Sequence, residues 1–363
     1  MFYVAEAGVN HAGDPARARE LIDAASDAGA DAVKFQAFDP DELVAPTAAT
    51  ADYQQRRTDA ESQRELLDRY DLDGETYREL ATYARERGIP FLSSPFDPAS
   101  ADLLASLDVP AIKIGSGELT NHPLLAHVAE LGLPVICSTG MATMDEVAAA
   151  YRVLADAEVA LLHCVSAYPT EPADVNLAAM DRLAERFDAP VGFSDHTTDP
   201  ETPAMAVAAG ASMVEKHLTV DRSLPGPDQA ASLEPEELAE SVRLARRAAR
   251  IRGEARKRPV PAERDARHVA RKGIYAARDL PVGTEIDATD VAILRPAEGL
   301  PPTVTDQVIG ARTTERITAD EPIAADALAE NVTVHGVDPF PSDASENAGA
   351  TDARTDTEGG RGR

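Results

Sequence analysis

Three of the chain's only five lysines, Lys34, Lys113 and Lys216, fall inside short apolar runs, and these runs end in side chains that can hold ions. An ammonium group set among hydroxyls binds phosphate and carboxylate oxygens. Lys34 and Lys113, with a ring of serines at the run ends (Ser93, Ser94, Ser116, Ser138, Ser166 and Ser194), thus read as a pocket for a substrate bearing both groups. His196 and His217 close two successive runs, beside Asp195 and Glu215. Two imidazoles with carboxylates nearby can ligate a divalent cation, with water completing the shell. The alternative is plainer: the lysines pair with Glu6 and Glu118 without chemical work, most readily Lys216, and each histidine is a hydrogen-bonded structural residue.

What must position these groups is a repeat. Apolar runs occur at 3–9, 32–38, 90–96, 111–117, 134–140, 159–166, 190–196 and 213–220. Helix-like patterns separate or follow them at 16–28, 76–87, 124–131, 145–155, 177–187, 202–209 and 234–252. Strands this apolar need cover on both faces, and the helices give it. Eight strand–helix units in about 250 residues predict an α/β fold, a closed (β/α)8 TIM barrel, whose active site gathers at the C-terminal strand ends. A doubly wound open sheet is the competing fold, but no G-x-G-x-x-G is present. The polar interval 43–72 reads as an extended loop over the barrel mouth. The basic, Pro-containing stretch 250–261 marks a boundary. The expected organisation is a barrel at 1–255, a linker at 256–267, a small mostly-β domain at 268–330 and a disordered acidic tail at 331–363.

Composition narrows the partners. A formal charge of −28 argues against nucleic acid and against anionic membrane surfaces. Abundant carboxylates with so little Lys match salt-adapted proteins, although a GC-rich genome would also favour Arg, Ala and Asp. No basic leader opens the chain and no apolar run reaches membrane length, so the expected location is cytoplasmic. Cys137 and Cys164, the two cysteines, read as reduced core thiols.

In order, the run ends spell Ala5-Glu6-Ala7-Gly8-Val9-Asn10-His11, Val33-Lys34-Phe35-Gln36, Ser93-Ser94-Pro95-Phe96 and Lys113-Ile114-Gly115-Ser116-Gly117-Glu118. They continue through Ser138-Thr139-Gly140-Met141, His163-Cys164, Tyr168-Pro169-Thr170, Phe193-Ser194-Asp195-His196, Glu215-Lys216-His217 and Gly226-Pro227-Asp228. With these motifs the chain resembles the N-acetylneuraminate synthase (sialic acid synthase) family over about residues 2–328. The resemblance implies that phosphoenolpyruvate condenses with an N-acetylated amino sugar and water to give a sialic-acid-type nonulosonate and phosphate. The sugar would be N-acetylmannosamine or a 2,4-diacetamido-trideoxy sugar. Phosphoenolpyruvate would lie on Lys34, Ser94, Lys113, Ser116, Ser138, Ser166 and Ser194. His196 and His217 would hold the metal, Mn2+ first, with Mg2+ or Co2+ as alternatives. Glu6, Gln36, Tyr168 and Asp228 would contact the sugar. Arg295 would reach it from a C-terminal antifreeze-like (SAF) domain in a domain-swapped homodimer. Ser94 stands where Thr is usual and Ser166 where Asn is common, and both can still bond a phosphate. Glu118 is the acid/base candidate, with ion pairing to Lys113 as its alternative role; Glu6, Lys34 and Lys113 complete the catalytic set. The competing activities are a Schiff-base pyruvate aldolase using a barrel lysine and another phosphoenolpyruvate-dependent barrel synthase. That second enzyme, with a phosphorylated acceptor, would need further basic residues beside Gln36 and Tyr168. A non-catalytic barrel is disfavoured because Lys34, His196 and His217 are all present.

Overall fold

Residues 1–45 and 62–334 are described in this computed structural model; 46–61 and the expected tail from 335 lie outside the described residues. The eight apolar runs form parallel strands β1 (Phe2–Gly8), β2 (Ala32–Ala37), β3 (Phe91–Pro95), β4 (Ile112–Ile114), β5 (Val135–Ser138), β6 (Val159–Cys164), β7 (Val191–Asp195) and β8 (Met213–His217). They are hydrogen-bonded in the order β3-β2-β1-β8-β7-β6-β5-β4, and the two end strands pack against each other. The result is a nearly closed (β/α)8 barrel.

Helices cover its outside: α1 (Pro15–Asp27), α2 (Pro40–Leu43), α3 (Gln63–Tyr70), α4 (Gly74–Glu86), α5 (Pro98–Ser106), α6 (His122–Glu130), α7 (Met144–Val153), α8 (Ala179–Arg186), α9 (Thr202–Ala209) and α10 (Pro235–Arg252). The chain marks their starts chemically. Asp14, Asp97 and Asn121 each accept a backbone N–H at an N-terminus, ahead of a Pro in the first turn. Thr143 and Glu146 make a reciprocal capping box at α7. The main core lies between this shell and the barrel wall, with Tyr3, Phe35 and Phe193 among its largest buried side chains.

Side chains alternate along each strand, so every second residue points into the barrel. At the floor, Val4, Ala32, Leu92, Ala111, Ile136 and Leu162 form one apolar layer. Two residues further along each strand stand Glu6, Lys34, Ser94, Lys113, Ser138 and Cys164, all buried. The barrel is a packed plug below and a polar chamber above.

One expectation about connections needs correcting, and the linker gains detail. The interval 43–72, expected as a loop, contains the helix α3. Its start is capped by Ser62, whose hydroxyl accepts the Glu65 N–H at 3.1 Å, and its Leu66 and Tyr70 bury one face. The linker region, in turn, holds a short turn at Pro261–Glu263 and the helix α11 (Arg264–Ala270).

The chain divides into two compact units, Met1–Gly253 and a second beginning at Glu254. The second contains the antiparallel pair β9 (Gly273–Ala276) and β10 (Val291–Leu294), the short α12 (Thr305–Val308), and isolated bridges such as Leu280 to Ile317 and Thr313 to Leu328. Its own small core gathers Ile274, Leu280, Ile286, Val308 and Ile323. Among the described residues no helix is long and apolar enough to cross a membrane.

Candidate active site at the barrel mouth

A cavity of about 540 Å³ opens at the C-terminal ends of the strands. Its base is a ladder of buried charge. Lys34 Nζ lies 2.8 Å from Glu6 Oε2 and 3.7 Å from Glu215 Oε2, and donates to Ser94 Oγ at 3.1 Å. Lys113 Nζ lies 3.7 Å from Glu215 Oε1 and donates to Ser138 Oγ at 2.7 Å and to the Ile114 carbonyl at 3.0 Å. Ser194 Oγ donates to Glu215 Oε1 at 2.9 Å. One carboxylate thus stands between two lysines.

The electrostatics follow from that arrangement. Burial alone would raise Glu215, but the charges of Lys113 and Lys34 and the Ser194 hydrogen bond pull it down to about 2. Burial pushes Glu6 the other way, up to about 7, against the attraction of Lys34. For Lys34 the cost of burial is outweighed by Glu215 and Glu6, so it titrates above the ordinary range. Lys113 is depressed by burial, helped by the positive charge of Lys34, because its share of Glu215 does not compensate. A lysine so placed lacks a full counter-charge. An arriving anion supplies one.

Above Lys113 the wall is built of hydroxyls. The Gly140 N–H donates to Ser116 Oγ at 3.0 Å, and Ser166 Oγ is buried without a partner. A β-carbon at Gly140 would collide with the Ser166 and Ser116 hydroxyls and meet Cys164 Sγ at 3.2 Å. Glycine here keeps open a small space walled by donors.

On the opposite edge the two histidines converge. Their ring centroids are 5.3 Å apart, and Tyr168 lies over His196 at 4.1 Å. The Val165 carbonyl sits 2.7 Å from His196 Nδ1 and can only accept, so Nδ1 carries a proton and, in the neutral ring, Nε2 keeps the lone pair. His217 Nδ1 is buried with no hydrogen-bond partner, 3.9 Å from Asp228 Oδ2. Burial, then the charge of His196, lowers the His217 pKa well below the usual imidazole range, while burial lifts Asp228 to about 6. A neutral imidazole with an unused buried nitrogen fits a metal ligand. Among the described residues no group of three or more His, Cys, Asp and Glu is arranged to hold a metal ion.

Of the residues singled out from sequence, the structure brings Glu6, Lys34, Gln36, Ser94, Lys113, Ser116, Ser138, Ser166, Tyr168, Ser194, His196, His217 and Asp228 to this one cavity. Gln36 Nε2 donates to Glu6 Oε1 at 3.1 Å. Two placements differ from expectation, those of Glu118 and Cys164. Glu118 does not line the cavity: the turn Ser116–Glu118 directs it to Asn121, whose side chain donates to it at 2.7 Å. Lys216 points out of the barrel, where it is fully buried against Asp195 at 2.7 Å. Cys164 is a free thiol, like Cys137, but it faces the cavity rather than the outer core. Arg295 belongs to the second unit, exposed just after β10. The residue passed over was Glu215, and the signal was there: strand alternation puts Glu215 on the same face as His217 and opposite to Lys216.

A nearly closed parallel barrel with buried lysines, a wall of hydroxyls and paired imidazoles at its C-terminal mouth defines a barrel enzyme for a small anionic substrate. Comparison with known proteins identifies which kind. The chain belongs to the NeuB family, whose model matches residues 21–257, and a SAF domain follows at residues 271–329. It is 43% identical over 326 residues to the N,N'-diacetyllegionaminic acid synthase of Legionella pneumophila, covering 88% of this chain and 92% of the relative. The Campylobacter jejuni enzyme of the same name is 38% identical over 88% of this chain and 97% of its own length. Among solved structures, the N-acetylneuraminic acid (sialic acid) synthetase of Leptospira borgpetersenii superposes with a TM-score of 0.66 at 35% identity, covering 73% of this chain and 90% of that one.

Proposed function

We infer that the barrel mouth condenses phosphoenolpyruvate with an N-acetylated amino sugar and water, giving a sialic-acid-type nonulosonate and phosphate. The observation that carries the reading is Lys113, a buried ammonium short of counter-charge beside Ser138 and the donor-walled space at Gly140. Phosphoenolpyruvate supplies what is missing. Its phosphate and carboxylate lie on Lys34, Lys113 and the hydroxyls of Ser94, Ser116, Ser138, Ser166 and Ser194.

His196 and His217 would hold a divalent cation, Mn2+ first, which would supply Lewis-acid polarisation of the open-chain sugar's aldehyde. Glu6, Gln36, Tyr168 and Asp228 orient the sugar so that its aldehyde carbon meets the methylene carbon of phosphoenolpyruvate. Lys34 and Lys113 hold the charge of the phosphate as water adds at C2 and the C–O bond to phosphorus-bound oxygen breaks. Glu215 keeps both ammonium groups in place. Glu6, held near 7 by burial, is the carboxyl able to move a proton between the sugar oxygen and water at neutral pH. Glu118, which accepts a hydrogen bond from Asn121, is the second candidate for that role.

Phosphate release from phosphoenolpyruvate, assayed with Mn2+ in molar KCl, should require an N-acetylated amino sugar and stop with EDTA. His217→Ala should abolish turnover while circular dichroism stays unchanged. A folded protein that releases no phosphate with any such sugar would overturn the reading, and a borohydride-trapped pyruvate adduct would favour the aldolase.

A further inference from the structure

We propose that Lys216 is a positioning residue: with Asp195 and Thr197 it fixes His196 against His217 from the outer face of the barrel wall, and so sets the geometry in which the two imidazoles share one divalent cation. The proposal rests on the two-histidine metal site inferred above and deepens it.

Of the three barrel lysines, Lys216 is the one that the chemistry at the mouth does not use. β7 and β8 pair in register with Asp195 opposite Lys216. Alternation sends Ser194, His196, Glu215 and His217 inward and sends Asp195 and Lys216 outward, under α9, which packs on both strands. Both side chains of the pair are fully buried.

An ammonium group has three N–H donors, and here they meet the two residues that flank His196. Lys216 Nζ lies 2.7 Å from Asp195 Oδ2 and 3.1 Å from Thr197 Oγ1, and it also donates to the Thr197 carbonyl. Asp195 Oδ1 closes the ring by accepting the Thr197 N–H at 2.9 Å. The Thr197 hydroxyl lies 3.3 Å from that of Thr202, at the start of α9. One lysine on β8, next to His217, thus grips both chain neighbours of His196. The His196 ring has an anchor of its own in the Val165 carbonyl. His217 Nδ1 has none, so its ring is placed by its strand, and Lys216 ties that strand to the histidine opposite.

Stability does not account for the pair. Two charges buried this deeply recover little of what they lose in leaving water, and an apolar pair of similar volume commonly serves as well. A fixed separation between two ligating rings, by contrast, needs directional bonds. The outer wall supplies them without filling the cavity.

The test removes both charges together, Asp195→Asn with Lys216→Met, so that no lone charge is left buried and the amide still offers an acceptor to the Thr197 N–H. Mn2+ binding to the metal-stripped full chain is read from the EPR signal of the free ion, without substrate, beside thermal melts. The double variant should melt close to wild type yet bind Mn2+ about tenfold to a hundredfold more weakly, the usual cost of losing a residue that orients a metal ligand. Leu92→Ala, in the floor layer, should melt lower and bind as wild type does. His217→Ala should abolish binding. A double variant with wild-type affinity would overturn the proposal, as would one that fails to fold or one whose loss Leu92→Ala matches. If wild type binds no Mn2+, or His217→Ala binds as tightly as wild type, the metal site itself falls and this proposal with it. Sugar-dependent phosphate release tests the condensation separately.

Discussion

The floor and the mouth of the barrel are built from the same strands, two residues apart, and they are made of opposite materials. Val4, Ala32, Leu92, Ala111, Ile136 and Leu162 close the floor. Glu6, Lys34, Ser94, Lys113, Ser138 and Cys164 follow them at the mouth, equally buried. The floor satisfies itself: apolar surface meets apolar surface. The mouth does not. Ser166 Oγ and His217 Nδ1 are buried without hydrogen-bond partners, and Glu215 Oε2 has only the distant Lys34 ammonium at 3.7 Å. Unmet polar groups of this kind cost stability wherever they occur, and the floor layer has none. The floor holds the strands at a spacing that the mouth could not maintain alone.

The comparison breaks most sharply if charge at the mouth can be removed without loss of turnover. Lys113→Met keeps the length of the side chain and deletes its ammonium. Phosphate release should fall roughly a hundredfold to a thousandfold, the usual consequence of losing a preorganised donor to developing charge. The melting temperature should change little, because relief of a buried ammonium is set against the counter-charge that Glu215 loses. A large fall in melting temperature would mean that Lys113 is structural and the two layers are alike.

The opposite pattern is expected one layer down. Leu92 is 1% exposed and touches no substrate group. Leu92→Ala should lose about 3 kcal/mol of stability by urea denaturation, the ordinary cost of an unfilled core position. Its kcat/KM should stay close to wild type at temperatures where the protein is folded. If instead activity falls as far as in Lys113→Met while stability holds, the floor is part of the site.

How much of this division the sequence revealed depends on the interaction involved. Strand alternation and apolar runs are local, so the barrel, its strand count and the cavity set at the strand ends were legible from residue types alone. Contacts across distant segments were not. Nothing in the order of residues says that Glu215 answers both Lys34 and Lys113, since that pairing exists only once β8 closes beside β1. Glu118 looked like the partner of Lys113 because it is near in sequence, but the tight turn at Ser116 carries it away to Asn121. Polar residues likewise hid α3, whose cap at Ser62 and buried Leu66 and Tyr70 make a helix of a segment that reads as a loop.

A third expectation concerns a buried titratable group on the mouth side, in the loop after β1. His11 is fully buried; its Nδ1 accepts the Gly13 N–H at 3.1 Å, and its Nε2 has no partner. Burial, aided by the charge of Arg17, lowers its pKa from 6.5 to about 4. The fold therefore holds the neutral ring, while the unfolded chain takes up a proton below about 6.5. Stability from this group is present above that value and is lost as pH falls toward 4, by roughly 3 kcal/mol in total. Urea melts at pH 7 and pH 4.5 should show that loss in wild type. His11→Gln should flatten it. Parallel losses in the two proteins would assign the acid sensitivity elsewhere.

The smallest effect sharpens the contrast within the floor itself. β7 places Gly192 where its neighbours place an aliphatic side chain, two residues before Ser194. A β-carbon there would stand 2.5 Å from the Met213 carbonyl oxygen and 2.6 Å from Leu162 Cδ2. The leucine can turn aside, but the backbone carbonyl belongs to the neighbouring strand and moves only if β7 and β8 part. Gly192→Ala should therefore cost about 1–3 kcal/mol, an overpacking penalty rather than a cavity. Spreading these two strands would also move Ser194 and His196 away from Glu215 and His217. Gly192→Ala should consequently lower kcat somewhat even below its melting temperature, which Leu92→Ala should not. Equal behaviour of the two variants would show that the floor acts only through global stability, and that the spacing of β7 and β8 is set from the helical side of the wall.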